Sequence, residues 1–156
     1  LLFVDDFPMN NSMNTRFLLS TIKFPLIVFA AHVVLNLPGI DAYSLWPWFD
    51  IPMHFIGGVS IGQAGKAFFA GLQRRKLMDT LPWPLLLFVL FSVVGLAVAT
   101  WELFEFGIGQ FFHVDLQGNL FDTMMDIFFG LLGGFTAALF FVLFSSHRGD
   151  TKAQRS

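Results

Sequence analysis

The amino-acid sequence predicts an all-α fold, a polytopic transmembrane helix bundle of four spans with both termini on the cytoplasmic side. Composition is the first reason. Hydrophobic residues make up 55% of the chain and charged residues only 13%, where a soluble domain carries about 25%, and mean hydropathy is +0.67. Second, the apolar residues gather into four runs of about 20 residues or more, the length that crosses ~30 Å of hydrocarbon at about 1.5 Å per helical residue. Third, lysine and arginine sit at one end of those runs only. A length of 156 residues suits one such domain rather than two.

Residues 1–16 are mixed and partly polar and are expected to be disordered or artefactual. Leu1 is not a natural initiator, so a fragment or a start at Met9 or Met13 is expected. No basic stretch followed by an apolar core and a cleavage site appears, which leaves the first span as an uncleaved insertion signal. Residues 17–145 form the four-span domain.

The first span is residues 17–37. Lys23 can snorkel to the nearer interface, Pro25 is expected to kink the early turns, and His32 and Asn36, four apart, share one face. Residues 38–49 read as a loop in which Tyr43, Trp46 and Trp48 mark a membrane interface. The second span, residues 51–72, is opened by Asp50 as an N-cap and Pro52 in the first turn. Its Gly58, Gly62 and Gly65 let another helix approach closely. The third, residues 81–106, starts at Pro82, Trp83 and Pro84, repeats the small-residue spacing at Gly95 and Ala99, and ends on Trp101, Glu102 and Glu105. Residues 107–121 read as a loop whose His113 and Asp115 are ordinary solvated residues. The fourth span, residues 122–145, opens at Asp122 and carries a packing stripe of Gly130, Gly134 and Ala138. Residues 146–156 are a basic cytoplasmic tail.

No lysine or arginine lies in residues 24–65 or 77–147. The positive-inside rule therefore puts both termini and the loop at Arg74, Arg75 and Lys76 in the cytoplasm. This reads as a multi-pass membrane protein, with lipid as its surroundings. Nucleic acid has no basic patch with interleaved aromatics to bind, and with no cysteine there is neither disulfide nor thiolate metal site.

In this topology Asp50, His54, Glu102, Glu105, Asp122 and Asp126 all collect in the outer-facing layer, with His32 and Asn36 at the same depth. Ionisable groups at the edge of hydrocarbon are costly and mark a functional site by default. Asp50 with His54 and Asp122 with Asp126 are i,i+4 pairs, and Glu102 with Glu105 is an i,i+3 pair, so each pair lies along one helix face. Carboxylates that converge cannot all stay ionised without a cation or shared protons. A divalent metal, Mn, Fe, Zn or Mg, suits oxygen-rich donors with one or two imidazoles, and facing helices commonly build such sites. The metal set is His54, Glu102, Glu105, Asp122, Asp126 and Asp50, with Glu102, Glu105 and Asp122 as the catalytic carboxylates. The blander alternatives are helix caps at Asp50 and Asp122, a polar pair of His54 and Asp126 between helices, and a simple helix–helix contact at His32. Glu102, at the negative end of a helix dipole, is poorly placed without compensation.

Three motifs stand in order: Asp50-x3-His54-Phe55 with Gly58, Trp101-Glu102 with Glu105, and Gly118 with Asp122-Thr123 and Asp126. At these residues the chain resembles the YjdF-type family of uncharacterised multi-spanning bacterial inner-membrane proteins, over roughly residues 49–135. Two positions depart from that family's pattern, Ile51 where a basic residue is common and Asn119 where an Asp follows the glycine. A weaker similarity runs to VanZ-like membrane proteins, which show an Asp-x3-His helix start and a later acidic one. The resemblance implies an integral membrane protein and no particular activity.

The leading expectation from the residues is a metal-dependent hydrolase acting on a lipid or envelope substrate, with a water as nucleophile and a spare carboxylate as base. The alternatives are a proton- or cation-handling transporter component and a non-enzymatic structural subunit. The Gly-rich faces would then serve a homo-oligomer or a membrane-protein partner.

Overall fold

Apolar runs interrupted only by small residues fold as long helices, because hydrocarbon forces every backbone polar group to find its partner within the segment. The computed structural model describes residues 15–37, 39–40, 42–113 and 118–153, with side chains as far as residue 141. It has helices α1 (Thr15–Leu35), α2 (Ala42–Leu45), α3 (Asp50–Arg74), α4 (Trp83–Phe112) and α5 (Leu120–Ala153), with a 3-10 turn at Pro47–Phe49 before α3. No strand occurs among the described residues. Among the described residues, three helices are long and apolar enough to cross a membrane: Thr15–Leu35, Trp83–Phe112 and Leu120–Phe141.

The fourth long helix, α3, falls outside that set and lies at the centre, packing on α1, α4 and α5. Its small residues explain both facts. A Cβ at Gly58 would strike the carbonyl oxygen of Gly130, one at Gly133 would strike that of Phe55, and one at Gly62 would come within 3.1 Å of the Gly134 oxygen and of Ala137. The α3–α5 seam is thus backbone against backbone, the close approach that small-x3-small spacing permits. From α4, which touches both α3 and α5, Val94 and Val98 fill the space over Gly134 and Gly130. Leu90, Val94 and Val98 form the buried apolar row of α4. The Gly58, Gly62, Gly130 and Gly134 faces offered above to a partner are therefore occupied within the chain. Gly95 differs, since a Cβ there would make only ordinary contact with Leu131.

The pairings also give direction. Gly58 and Gly62 match Gly130 and Gly134 in rising order, so α3 and α5 run parallel. Val98 over Gly130 and Val94 over Gly134 make α4 antiparallel to α5. Phe17, at the start of α1, packs on Gly71, stacks on Phe68 at 6.2 Å and lies under Arg75, all at the end of α3. So α1 opposes α3 as well, and the helices alternate up and down.

Several sequence expectations shift. The residues expected to form a loop after residue 106 are helical as far as Phe112, where His113 caps α4 with φ 57°. Gly107 and Gly109 do not break the helix, because Ile108, Phe111 and Phe112 continue its apolar character. α5 starts at Leu120 rather than Asp122 and runs to Ala153, through residues read as a polar tail. Asp115 lies outside the described residues, as do residues 1–14.

Candidate metal centre

Each helix delivers its polar residues to one level near a shared end of the bundle. His54 stands one turn into α3, Asp126 almost two turns into α5, and Glu102 ten residues before the end of α4. Because α4 extends past it, Glu102 is not at the negative end of a helix dipole, and that objection falls. The side chains of His54, Glu102 and Asp126 are 8%, 6% and 6% exposed.

His54 is the hub. Its Nε2 lies 3.3 Å from Asp50 Oδ1 and 3.7 Å from Asp126 Oδ1, while its Nδ1 lies 3.8 Å from Glu102 Oε1. Two sets of ligand atoms result, each with all members within 4.8 Å of one another: Asp50, His54 and Asp126, and His54, Glu102 and Glu105. Ligand atoms about 2.1 Å from a common ion stand about 3–3.5 Å apart, so the first set needs only small movements to close on one.

A second layer comes from α1 and α2. His32 Nε2 lies 3.5 Å from Glu105 Oε1, and Tyr43 Oη is hydrogen-bonded to His32 Nδ1 at 2.8 Å. The ring of His32 also meets Trp101 edge-on at 5.1 Å, and Asn36 Nδ2 donates to the His32 carbonyl at 3.1 Å. Burial, then the Asp50, Glu105 and Asp126 carboxylates, raise the Tyr43 pKa well above its ordinary value, so the phenol stays protonated. His32 is thus a contact between helices, and it also reaches the acidic cluster through Glu105. Tyr43, an interface aromatic by sequence, gains this part only through the meeting of α2 with His32 of α1.

Of the six metal candidates, five are brought together and one is not. Asp122 is exposed, its carboxylate lies against Gly118, and it belongs to neither ligand set. It does not cap α5 either. Asn119 does so, its Oδ1 accepting from the backbone N–H of Phe121 at 2.9 Å and of Asp122 at 3.2 Å. Asp50 is likewise no cap, since Phe49 holds that position and the Asp50 carboxylate faces His54. His113 is exposed, as expected of a loop residue.

A bundle with three lipid-compatible helices and a buried histidine–carboxylate cluster defines a membrane protein. The chain belongs to the family described as "Predicted membrane protein (DUF2238)", which matches residues 7–147. No curated protein and no solved structure matches the chain.

Proposed function

We propose that the chain is a four-span protein of the bacterial inner membrane with both termini in the cytoplasm, and that its outer-facing cluster holds a divalent metal used to hydrolyse a lipid or envelope substrate. In this reading α3 is the fourth span. Its 25 residues reach about 37 Å at about 1.5 Å each, and its hydropathy is lowered by Gly58 and Gly62, which face α5, and by His54, Gln63 and Lys66.

The single observation that carries the metal is His54, with acids from two other helices on its two ring nitrogens. A neutral imidazole offers one lone pair and one N–H. His54 Nε2, Asp50 and Asp126 would form one holding set, leaving Nδ1–H toward Glu102, where closing the 3.8 Å gap would orient the ring. His54 Nδ1, Glu102 and Glu105 would form the other, leaving Nε2–H toward Asp50 and Asp126. Either way one histidine supports one ion.

Charge supports the same reading. Asp50, Glu102, Glu105 and Asp126 are four acids facing two imidazoles, His32 and His54. Even with both rings protonated, two negative charges remain unbalanced, and acids this close need a cation or shared protons. With His54 neutral, as a ligand must be, three remain; a divalent ion offsets two of them, and Mn, Fe, Zn or Mg suit the donors. When bound, the ion supplies Lewis acidity and acidifies water at its open position. With Asp50, His54 and Asp126 holding the ion, Glu102 and Glu105 both lie outside the set and one of them would accept a proton, whereas with Glu102 and Glu105 in the set that role would fall to Asp50 or Asp126; His32 with Tyr43 holds Glu105 in place.

The test is hydrolysis of a long-chain ester or phosphoester in proteoliposomes. Activity is expected to vanish on chelation, to return with an added divalent ion and to be lost in His54→Ala. Activity indifferent to chelation contradicts the reading.

A second reading, proton or cation handling, draws on the line from Tyr43 through His32 and Glu105 to His54. The line stops at that level, since the next buried positions down α4 are Val98, Val94 and Leu90. Conduction would need a path these residues do not supply. Cation-dependent flux lost in Glu102→Gln would favour it nonetheless.

A further inference from the structure

A cavity of about 270 Å³ lies between α1, α3 and α4. His32 and His54 stand at one end of it, and from them it runs one to two turns away from the acids along all three helices, past Phe29 and Leu26, Gly57 and Ile61, and Ala97. Its one hydroxyl, Ser60 Oγ, donates to the Gly57 carbonyl of its own helix at 2.7 Å. The wall is therefore hydrocarbon except at the histidine end. Leu26 and Phe29, 49% and 45% exposed, form its outer lip.

Gly57 is the residue that keeps this space open. A Cβ there would meet nothing within 4 Å, while its neighbour Gly58 is pressed against Gly130. Mid-helix glycine costs about 1 kcal/mol relative to alanine, so neither helix packing nor helix formation accounts for it. Pro25 of α1 also borders the cavity.

We propose that the cavity holds one hydrocarbon chain of a membrane amphiphile, with the amphiphile's ester or phosphoester end lying at His54. The identification of that end as the bond to be hydrolysed rests on the metal centre proposed above; the seat for the chain does not. Three features select this occupant. A closed cavity of about 150 Å³ with apolar walls takes a benzene ring, so an apolar space nearly twice as large has room for a length of a single alkyl chain. The lip is built from side chains that face lipid, which makes a membrane amphiphile the hydrocarbon at hand. The far end meets two imidazoles and the acids behind them, which suits a polar head and not a chain terminus.

The experiment uses the full chain in nanodiscs with a long-chain alkyl phosphate that carries a photoactivatable diazirine at mid-chain. Labelling is expected on peptides containing Phe29, Gly57, Ile61 or Ala97. Gly57→Leu fills the cavity from α3 and Ala97→Leu narrows it from α4, and each is expected to reduce that labelling by about tenfold or more, with metal content unchanged. The same diazirine chain on a neutral alcohol separates the two levels of the argument. It is expected to label these positions with or without chelator, whereas the phosphate probe needs the ion to offset the acids. Labelling of the cavity by both probes in a protein that holds no metal would overturn the metal reading and leave the chain seat standing. Labelling confined to lipid-facing residues such as Leu103, or unchanged in both filled variants, overturns this proposal whatever the metal content.

Discussion

His54 of α3 and Asp126 of α5 face each other at 3.7 Å across the seam where Gly58 lies on Gly130. The glycines bring the two backbones together, and that closeness brings the two side chains to one level. Packing and chemistry are therefore coupled, and the first prediction concerns adjacent glycines with opposite roles.

Gly58→Ala puts a Cβ onto the Gly130 carbonyl, while Gly57→Ala puts one into open space. Overpacking of this kind costs about 1–3 kcal/mol or more, whereas the helix gains about 1 kcal/mol from Gly to Ala in an unhindered position. Thermal unfolding in detergent should show Gly58→Ala less stable than wild type and Gly57→Ala equal or more stable. Equal stability of the two variants contradicts the seam.

Tyr43 is the one tyrosine in the chain, so its ionisation can be followed by tyrosinate absorbance. Its pKa is raised, so the stability it contributes is fully present below about pH 10, the ordinary tyrosine value, and is lost as pH rises through the folded-state value. The wild type should therefore lose more stability than Tyr43→Phe above about pH 10. Absorbance that titrates at the ordinary value in the folded protein would show that α2 does not seal the phenol against the cluster.

Orientation can be read by labelling, because the chain has no cysteine of its own. With both termini in the cytoplasm, Lys76→Cys should react with an impermeant maleimide only after the membrane is opened, and His113→Cys should react in intact spheroplasts. The reverse pattern would put the acidic layer on the cytoplasmic face.

Much of the bundle was legible because apolar run length and glycine spacing are local properties. The Asp50–His54 pair was legible for the same reason, being one turn of one helix. The pair Asp122 and Asp126 misled, since i,i+4 spacing guarantees a shared face but not equal burial. Asp126 falls below the α5 entrance and is buried, while Asp122 turns back onto Gly118. The caps went to the wrong residues because Asn119 lies among residues read as loop, and α5 begins earlier than its acids suggest. The end of α4 lies later than the acidic pair at Glu102 and Glu105 suggests, because the helix runs on through Gly107 and Gly109 to Phe112, and lipid-facing helices tolerate glycine. Tyr43 and the cavity beside Gly57 depend on how separate helices meet, which no single stretch of the chain encodes.

The most direct test of the central claim is metal analysis of protein purified without chelator. Wild type is expected to carry about one divalent ion per chain. His54→Ala and Asp126→Ala should lose it, and Asp122→Ala, whose side chain stands outside both ligand sets, should keep it. Wild-type protein with no ion above background, and no gain in thermal stability from added Mn, Fe, Zn or Mg, would contradict the account.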